Sequence, residues 1–309
     1  MHLATIIPSK NGLHHLKECL PTVITAAAQS KYPVQLVVVD DNSTDGTIKQ
    51  ATELFPTVTF VANSSQGVCS ARNYGVSLVQ PDWLCFLDND VFVNPDFFNT
   101  ALSYLKQDIF CITCAGYAAY PKTPDKPEQL DGVKLISWKR GFPRFTSNYF
   151  PVVSPSSPHL FPSWGVQGAC FFCQYKYFKE LQGFDELFEP YLLEETDLAY
   201  RGLKRGWKIV YSPNIRYRHK CGGTIASKTS STTQQLSKRN RIIFVWKNIH
   251  DKQLLFSSLL WSLLRGEFRM LWYAWKIRKS ILHKRTSECA QAVRTDRDIL
   301  NTCKEYINE

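Results

Sequence analysis

The sequence predicts an α/β protein, a mainly parallel sheet flanked by helices, with a helical appendage at the C-terminal end. Three observations lead there. Short apolar runs alternate with helical stretches through the first 115 residues. Three of those runs stop at polar or acidic residues, the edge at which open α/β sheets hold their ligands. Beyond residue 232 the text becomes helical and rich in Arg, Lys, Trp and Leu.

The strands are drawn over residues 4–7, 35–39, 58–61, 83–87 and 109–113, each an apolar, largely β-branched or aromatic run. Helices are expected near residues 13–29, 44–54, 68–79 and 95–106, the second behind the capping types Asn42, Ser43 and Asp45. Residues 118–163 hold eight prolines and read as an irregular insertion, a lid or substrate-binding excursion. Regular structure resumes with an apolar run over 168–174, helices near 177–182 and 194–205, and a strand over 207–211.

The charge is distributed unevenly. Residues 201–285 contain 20 Lys and Arg against only Asp251 and Glu267, whereas the first 200 residues are net acidic. Such a basic block suits nucleic acid, an anionic membrane or phosphorylated substrates, and composition alone does not choose. Within it the longest apolar stretch, residues 254–264, is far short of the ~20 residues of a membrane span. Trp261, Trp272, Tyr273 and Trp275, interleaved with Arg269, Lys276, Arg278 and Lys279, fit a helix lying flat in a lipid interface as well as one packed on the protein. The opening residues lack the basic segment and long apolar run of a secretory signal, so the chain is expected to begin in the cytosol.

Ten cysteines are scattered through a large domain and read as reduced core residues. Cys111/Cys114 and Cys170/Cys173 have zinc-like spacing, but both pairs sit in strand-like text, where positions i and i+3 point to opposite faces.

The chemistry is expected at three acidic clusters. Asp88-Asn89-Asp90 ends an apolar strand, a costly place for two carboxylates unless they bind something charged. Hard oxygen donors there suit Mg²⁺ or Mn²⁺. Asp40 and Asp41 end another strand, where carboxylates can accept hydrogen bonds from a base N–H or a ribose hydroxyl. Glu194, Glu195 and Asp197 crowd a helix start, where the dipole favours acids, and one of them, raised in pKa, can take a proton. His219 offers an imidazole to a metal.

Eight stretches occur in order: Thr5-Ile6-Ile7-Pro8, Asp40-Asp41-Asn42-Ser43-Thr44-Asp45-Gly46-Thr47, Gly67 to Gly75 with Arg72-Asn73, Leu87-Asp88-Asn89-Asp90, Gly168-Ala169, Gly183-Phe184-Asp185-Glu186, Glu194-Glu195-Thr196-Asp197-Leu198, and His219-Lys220-Cys221-Gly222-Gly223. Together they resemble the family 2 glycosyltransferases of GT-A fold, over residues 3 to about 223. The resemblance implies a nucleotide-diphosphate sugar donor, a divalent metal and an inverting displacement onto a glycan or lipid-linked acceptor. It implies residues 1–232 as the catalytic domain, with a nucleotide-binding half over 1–115 and an acceptor-binding half over 116–232, followed by the helical region 233–309.

By position, Pro8, Asp40, Asp41, Arg72, Asp88 and Asn89 would line the donor site. Asp40 or Asp41 would hold the nucleoside, Arg72 would lie near the phosphates, and Asp88 would touch the ribose or sugar. Asp90 would ligate the metal, with His219 at a position where related enzymes can place a second ligand. The family's base is usually the Asp of a Glu-Asp pair, which here reads Glu194-Glu195, so Glu195 is the expected base and Asp197 the second candidate. Residues 238–248 look like the helix that follows the catalytic domain in bacterial members acting on lipid-linked glycans, which implies contact with a membrane surface through 234–285. A metal-dependent nucleotidyltransferase would also need strand-end acids, but residues 8–13 are too short for its phosphate loop. A nucleic-acid binder would use the basic block and leave the acids unexplained, and no nucleic-acid partner is expected.

Overall fold

The computed structural model describes residues 1–121, 128–148, 160–220 and 231–308. Its N-terminal half alternates strand and helix: β1 (Leu3–Ser9), α1 (Leu13–Ala28), β2 (Val34–Asp40), α2 (Thr47–Leu54), β3 (Thr59–Ala62), α3 (Val68–Ser77) and β4 (Trp83–Leu87). Then come β5 (Val91–Val93), α4 (Phe97–Leu102) and β6 (Ile109–Ala118). Strands β3, β2, β1 and β4 lie side by side in parallel. Helices cover both faces of such a sheet, which is why β4 is an unbroken apolar run, β1 is interrupted only by Thr5 before Ser9, and almost every residue of both is buried.

Beyond β6 lie β7 (Gln129–Asp131), β8 (Val133–Lys139), β9 (Phe142–Asn148), β10 (Phe161–Pro162), β11 (Cys170–Gln174), α5 (Tyr175–Glu180), a 3₁₀ turn at Glu186–Phe188, α6 (Glu194–Lys204) and β12 (Lys208–His219). Strand β11 inserts antiparallel between β4 and β6, and β12 adds parallel to β6. The sheet order is β10-β12-β6-β11-β4-β1-β2-β3, with β5 paired to β12 and β7 to β6.

Two departures from the sequence reading matter for the site. The strand expected to end at Tyr211 runs on to His219, with a register shift between Ser212 and Arg216. Pro213 lies inside that irregularity; a proline disrupts the apolar period but is tolerated at a bulge. The insertion expected to be irregular is partly ordered as an antiparallel hairpin, β8 pairing β9 from Val133↔Asn148 to Lys139↔Phe142. Its turn uses Arg140 and Gly141, both at positive φ. A Cβ at Gly141 would come within 2.7 Å of the Ser257 carbonyl and 2.8 Å of Trp261, so the hairpin tip sits directly on the helix that carries them. Pro124, Pro127, Pro151, Pro155 and Pro158 lie outside the described residues, as do Cys221, Gly222 and Gly223.

Each face of the sheet has its own core. One joins Ile6, Phe86, Cys111 and Phe171, the other Ile7, Cys85, Cys114 and Phe172. The two Cys-x-x-Cys pairs are therefore split across the sheet: Cys111 and Cys173 are neighbours on one face, while Cys114 and Cys170 meet Cys85 on the other.

Five helices complete the chain: α7 (Ser231–Asn248), α8 (Lys252–Leu264), α9 (Phe268–Lys276), α10 (Arg278–Gln291) and α11 (Asp296–Asn308). Ile242, Ile243, Phe244 and Val245 of α7 and Ile299 and Cys303 of α11 belong to the same core as Ile6 and Phe86. Asn240 donates its side-chain amide to the carbonyls of Phe188, Tyr191 and Leu192, tying α7 to the turn that leads into α6. No helix among the described residues is long and apolar enough to cross a membrane.

Candidate active site

The carboxyl ends of β1, β2 and β4 form one edge, and Pro8, Asp40, Asp41, Asp88 and Asn89 all lie on it. Parallel pairing sets Pro8 beside Val39 and Ser9 beside Asp40. Asp41 is buried and fully engaged, accepting from the Gly67 amide at 2.9 Å, Asn63 at 3.0 Å and Lys10 at 3.2 Å. Asp40 is also buried and accepts from the Ser43 amide, but its Oδ1 has no partner among the described residues. Asn89 donates to Ser9 Oγ at 2.9 Å, stitching the end of β4 to that of β1. A Cβ at Gly12 would lie 2.1 Å from Asn89 Nδ2 and 2.6 Å from Ser9 Oγ, so a side chain there would displace this contact. Asp45 acts structurally, accepting from the Leu13 and Thr47 amides and so joining the starts of α1 and α2.

The β5–β12 pairing brings the next constellation together. Its antiparallel register sets His219 opposite Val91, and the Lys220 amide donates to the Asp90 carbonyl. Asp90 Oδ1 consequently lies 3.0 Å from His219 Nε2. Ligand atoms of Asp88, Asp90 and His219 fall within 4.8 Å of one another. Burial disfavours both charged forms, yet the mutual hydrogen bond and charge outweigh it, holding the Asp90 carboxyl below its ordinary range and raising His219. Two carboxylate oxygens and one imidazole form a donor set suited to a divalent ion such as Mg²⁺ or Mn²⁺.

Arg72, expected near the phosphates, is engaged within the protein. Its side chain is 2 % exposed, and its guanidinium donates to Asp88 Oδ1 at 2.9 Å, Glu194 Oε1 at 3.0 Å and the Gly168 carbonyl at 3.1 Å. It acts within the protein as a clamp joining β4, the approach to β11 and the start of α6. Glu194, which the sequence left without a role of its own, is the acid that this clamp fixes.

Glu195 and Asp197 part company. Glu195 is half-buried against Gly168, where an added Cβ would sit 3.6 Å from its Cγ. Gly168 in turn neighbours Ala169, whose carbonyl accepts from the Asp88 amide. Burial, and then the adjacent charge of Glu194, push the Glu195 carboxyl up to about 7. Asp197 instead points into the core, fully buried, and accepts from Arg201 at 2.8 Å, Lys247 at 2.7 Å and Asn248 at 2.7 Å. As a candidate base it is corrected, because its carboxylate is enclosed by cations and sealed from solvent. Its partners on α7 lie too far along the chain for helix-start logic to reveal them.

The family model for glycosyl transferase family 2 matches residues 5–161, which is half of the chain. This protein belongs to that family. Among curated relatives, the glycosyltransferase GlyA of Streptococcus pneumoniae is 28% identical over 101 residues, 32% of this chain and 14% of its own length. N-acetylglucosaminyl-diphospho-decaprenol L-rhamnosyltransferase of Mycobacterium tuberculosis is 25% identical over 227 residues, 66% of this chain and 71% of its own. The chain spans less than half the length of the first curated relatives it matches. Among solved structures, GalNAc-T7 with UDP, GalNAc and Mn²⁺ superposes with a TM-score of 0.62 at 17% identity, over 82% of this chain and 48% of that one. That likeness bears on the fold, which is GT-A.

Proposed function

We propose that this protein is an inverting glycosyltransferase that moves a sugar from a nucleoside-diphosphate donor to the hydroxyl of a glycan or lipid-linked acceptor. The observation that carries the reading is the convergence of Asp88, Asp90 and His219 at one sheet edge, joined through Arg72 and Gly168 to the Glu194-Glu195 helix start. Of Asp40 and Asp41, Asp40 holds the nucleoside, its unpartnered oxygen being free to accept from it, while Asp41 fixes the Gly67 amide beside it. Pro8 and Asn89 lie on the same sheet edge. Asp88 orients the ribose or the sugar, and Arg72 positions Asp88 from behind.

Asp90 and His219 would hold the divalent metal, with Asp88 beside them, and the bound ion would supply charge neutralisation for the diphosphate leaving group. Glu195 accepts the proton of the acceptor hydroxyl as its oxygen attacks the anomeric carbon from the face opposite the departing diphosphate, which inverts that centre. A carboxyl raised to about 7 is a stronger base than an ordinary glutamate and still about half ionised near neutrality.

The apolar side chains of Leu260, Leu264, Phe268, Trp272 and Trp275 are exposed on α8 and α9. Lys276 lies over the Trp272 ring and Arg278 over that of Trp275, the interleaving expected of a surface that rests on anionic lipid. This supports peripheral contact with the inner face of the membrane through 234–285.

Thermal stabilisation over a panel of nucleotide sugars, with Mn²⁺ and with EDTA, tests the reading. One donor should stabilise the protein only with metal present and release nucleoside diphosphate on turnover, and Asp90→Ala should abolish both. Release of pyrophosphate instead would mark nucleotidyl transfer, and metal-independent turnover in Asp90→Ala would remove the metal site.

A further inference from the structure

A cavity of about 460 Å³ opens beside Glu195, between the β8–β9 hairpin, the approach to β11, α7 and the end of α8. Its lining is strongly one-sided in charge. The hairpin contributes Lys134, Lys139, Arg140 and Arg144, α7 contributes Arg241, and Arg265 closes the end of α8. Glu195 is the one acid among its lining residues. Arg241 is partly neutralised by Glu267 at 2.7 Å, and Lys134 donates to Ser147. Lys139, Arg140, Arg144 and Arg265 have no carboxylate partner among the described residues.

Like charges at 4 Å repel by about 1 kcal/mol even in water, and a partly enclosed wall raises that figure. The fold nevertheless stacks two of these cations on one ring: Arg241 lies 3.9 Å and Arg265 5.6 Å from the centroid of Phe142. Lys139, Arg140, Arg144 and Arg265 are solvent-exposed, yet with Lys134 and Arg241 they line one concavity from three separate elements. Guanidinium forks and ammonium groups arriving from several sides match an anion with many oxygens at tetrahedral angles better than a single planar carboxylate.

We infer that this cavity is an acceptor subsite for a phosphate or diphosphate ester, held so that the acceptor hydroxyl reaches Glu195. The inference rests on the glycosyl-transfer reading for the role of Glu195 and deepens it by naming the acceptor's chemical class. Such an ester can be carried on a lipid or on a soluble molecule. The position of Arg265, directly after the exposed Leu263 and Leu264, places the subsite next to the apolar face of α8, within reach of a lipid tail.

Calorimetric titration of the full chain with inorganic pyrophosphate, in EDTA, tests it. The wild type should bind, Arg140→Ser with Arg144→Ser should weaken binding at least tenfold, and Asp90→Ala should stay within about twofold of wild type. Both arginines are exposed, so the double variant should keep the wild-type melting temperature. Absence of pyrophosphate binding, or binding lost in Asp90→Ala and kept in the double variant, would overturn the inference, the latter because the anion would then sit on the donor side. Farnesyl diphosphate separates the sources: a tenfold gain over pyrophosphate that Leu264→Ser with Phe268→Ser removes assigns a lipid carrier, and equal affinities assign a soluble ester. Metal-dependent release of nucleoside diphosphate by the wild type is scored separately, so failure of glycosyl transfer is not confused with failure of the subsite.

Discussion

The Arg72 guanidinium donates to Glu194 at 3.0 Å, fixing the residue immediately before the proposed base from a helix more than a hundred positions earlier. With Asp88 on its other side, this one buried cation sets the spacing between the donor edge of the sheet and the start of α6. Arg72→Met should leave two carboxylates without their counter-charge and lower stability by about 3–5 kcal/mol, in the range for breaking a buried pair. Arg72→Lys should recover part of the melting temperature and little of the turnover, since an ammonium cannot span both acids with a planar fork. Equal melting curves for wild type and Arg72→Met would contradict the clamp.

Glu195→Gln should reduce turnover by about 10²- to 10⁴-fold while donor affinity changes little. Proton acceptance needs the carboxylate form, so kcat/KM should decline as pH falls through about 7, roughly tenfold per unit well below it. A profile that stays flat down to pH 5 would remove Glu195 from the role.

Lys247 sits between Asp185 at 2.6 Å and Asp197 at 2.7 Å, and Lys284 reaches Asp185 at 3.0 Å. Although burial opposes ionisation, Lys247 and Lys284 hold the Asp185 carboxyl well below the usual carboxylate range. A depressed folded-state pKa gives stability that is present above the unfolded value of about 3.9 and is lost as pH falls toward the folded one. The wild type should therefore lose melting temperature steeply below about pH 4. Lys247→Met should be less stable by about 3–5 kcal/mol at neutral pH and show a shallower acid slope, which denaturant titration at several pH values measures.

Trp272→Ser combined with Trp275→Ser should cut sedimentation with anionic vesicles at least tenfold while the melting temperature holds, because both indoles are exposed. Binding of the wild type should also weaken as salt rises, through screening of Lys276 and Arg278. Undiminished sedimentation of the double variant would mean that these helices serve another contact.

The strand-end acids were legible because a carboxylate at the mouth of a buried apolar run, as at Asp40 or Asp88, is costly unless it meets a polar or charged partner. Their grouping was not. Asp90 meets His219 through the β5–β12 register, and that strand continues past Pro213, where local pattern reading ends it. Arg72 could be singled out by resemblance, but its two carboxylate partners depend on how β11 inserts between β4 and β6. The hairpin lysines and arginines were hidden inside proline-dense text that masks the alternation of buried Val133 and Leu135. Asp197 looked like its neighbours at a helix start, yet its position on the helix turns it away from the solvent side and into an internal ion cluster.

Because His219 joins Asp90 only through the last strand of the sheet, and α7 supplies part of the core beneath α6, the centre is complete only when segments distant in sequence are all in place. Residues 1–100 hold Asp40, Asp41, Asp88 and Asp90 but neither His219 nor Glu195. A fragment that stops short of β12 should therefore lack metal-dependent turnover, whatever else of the sheet it retains.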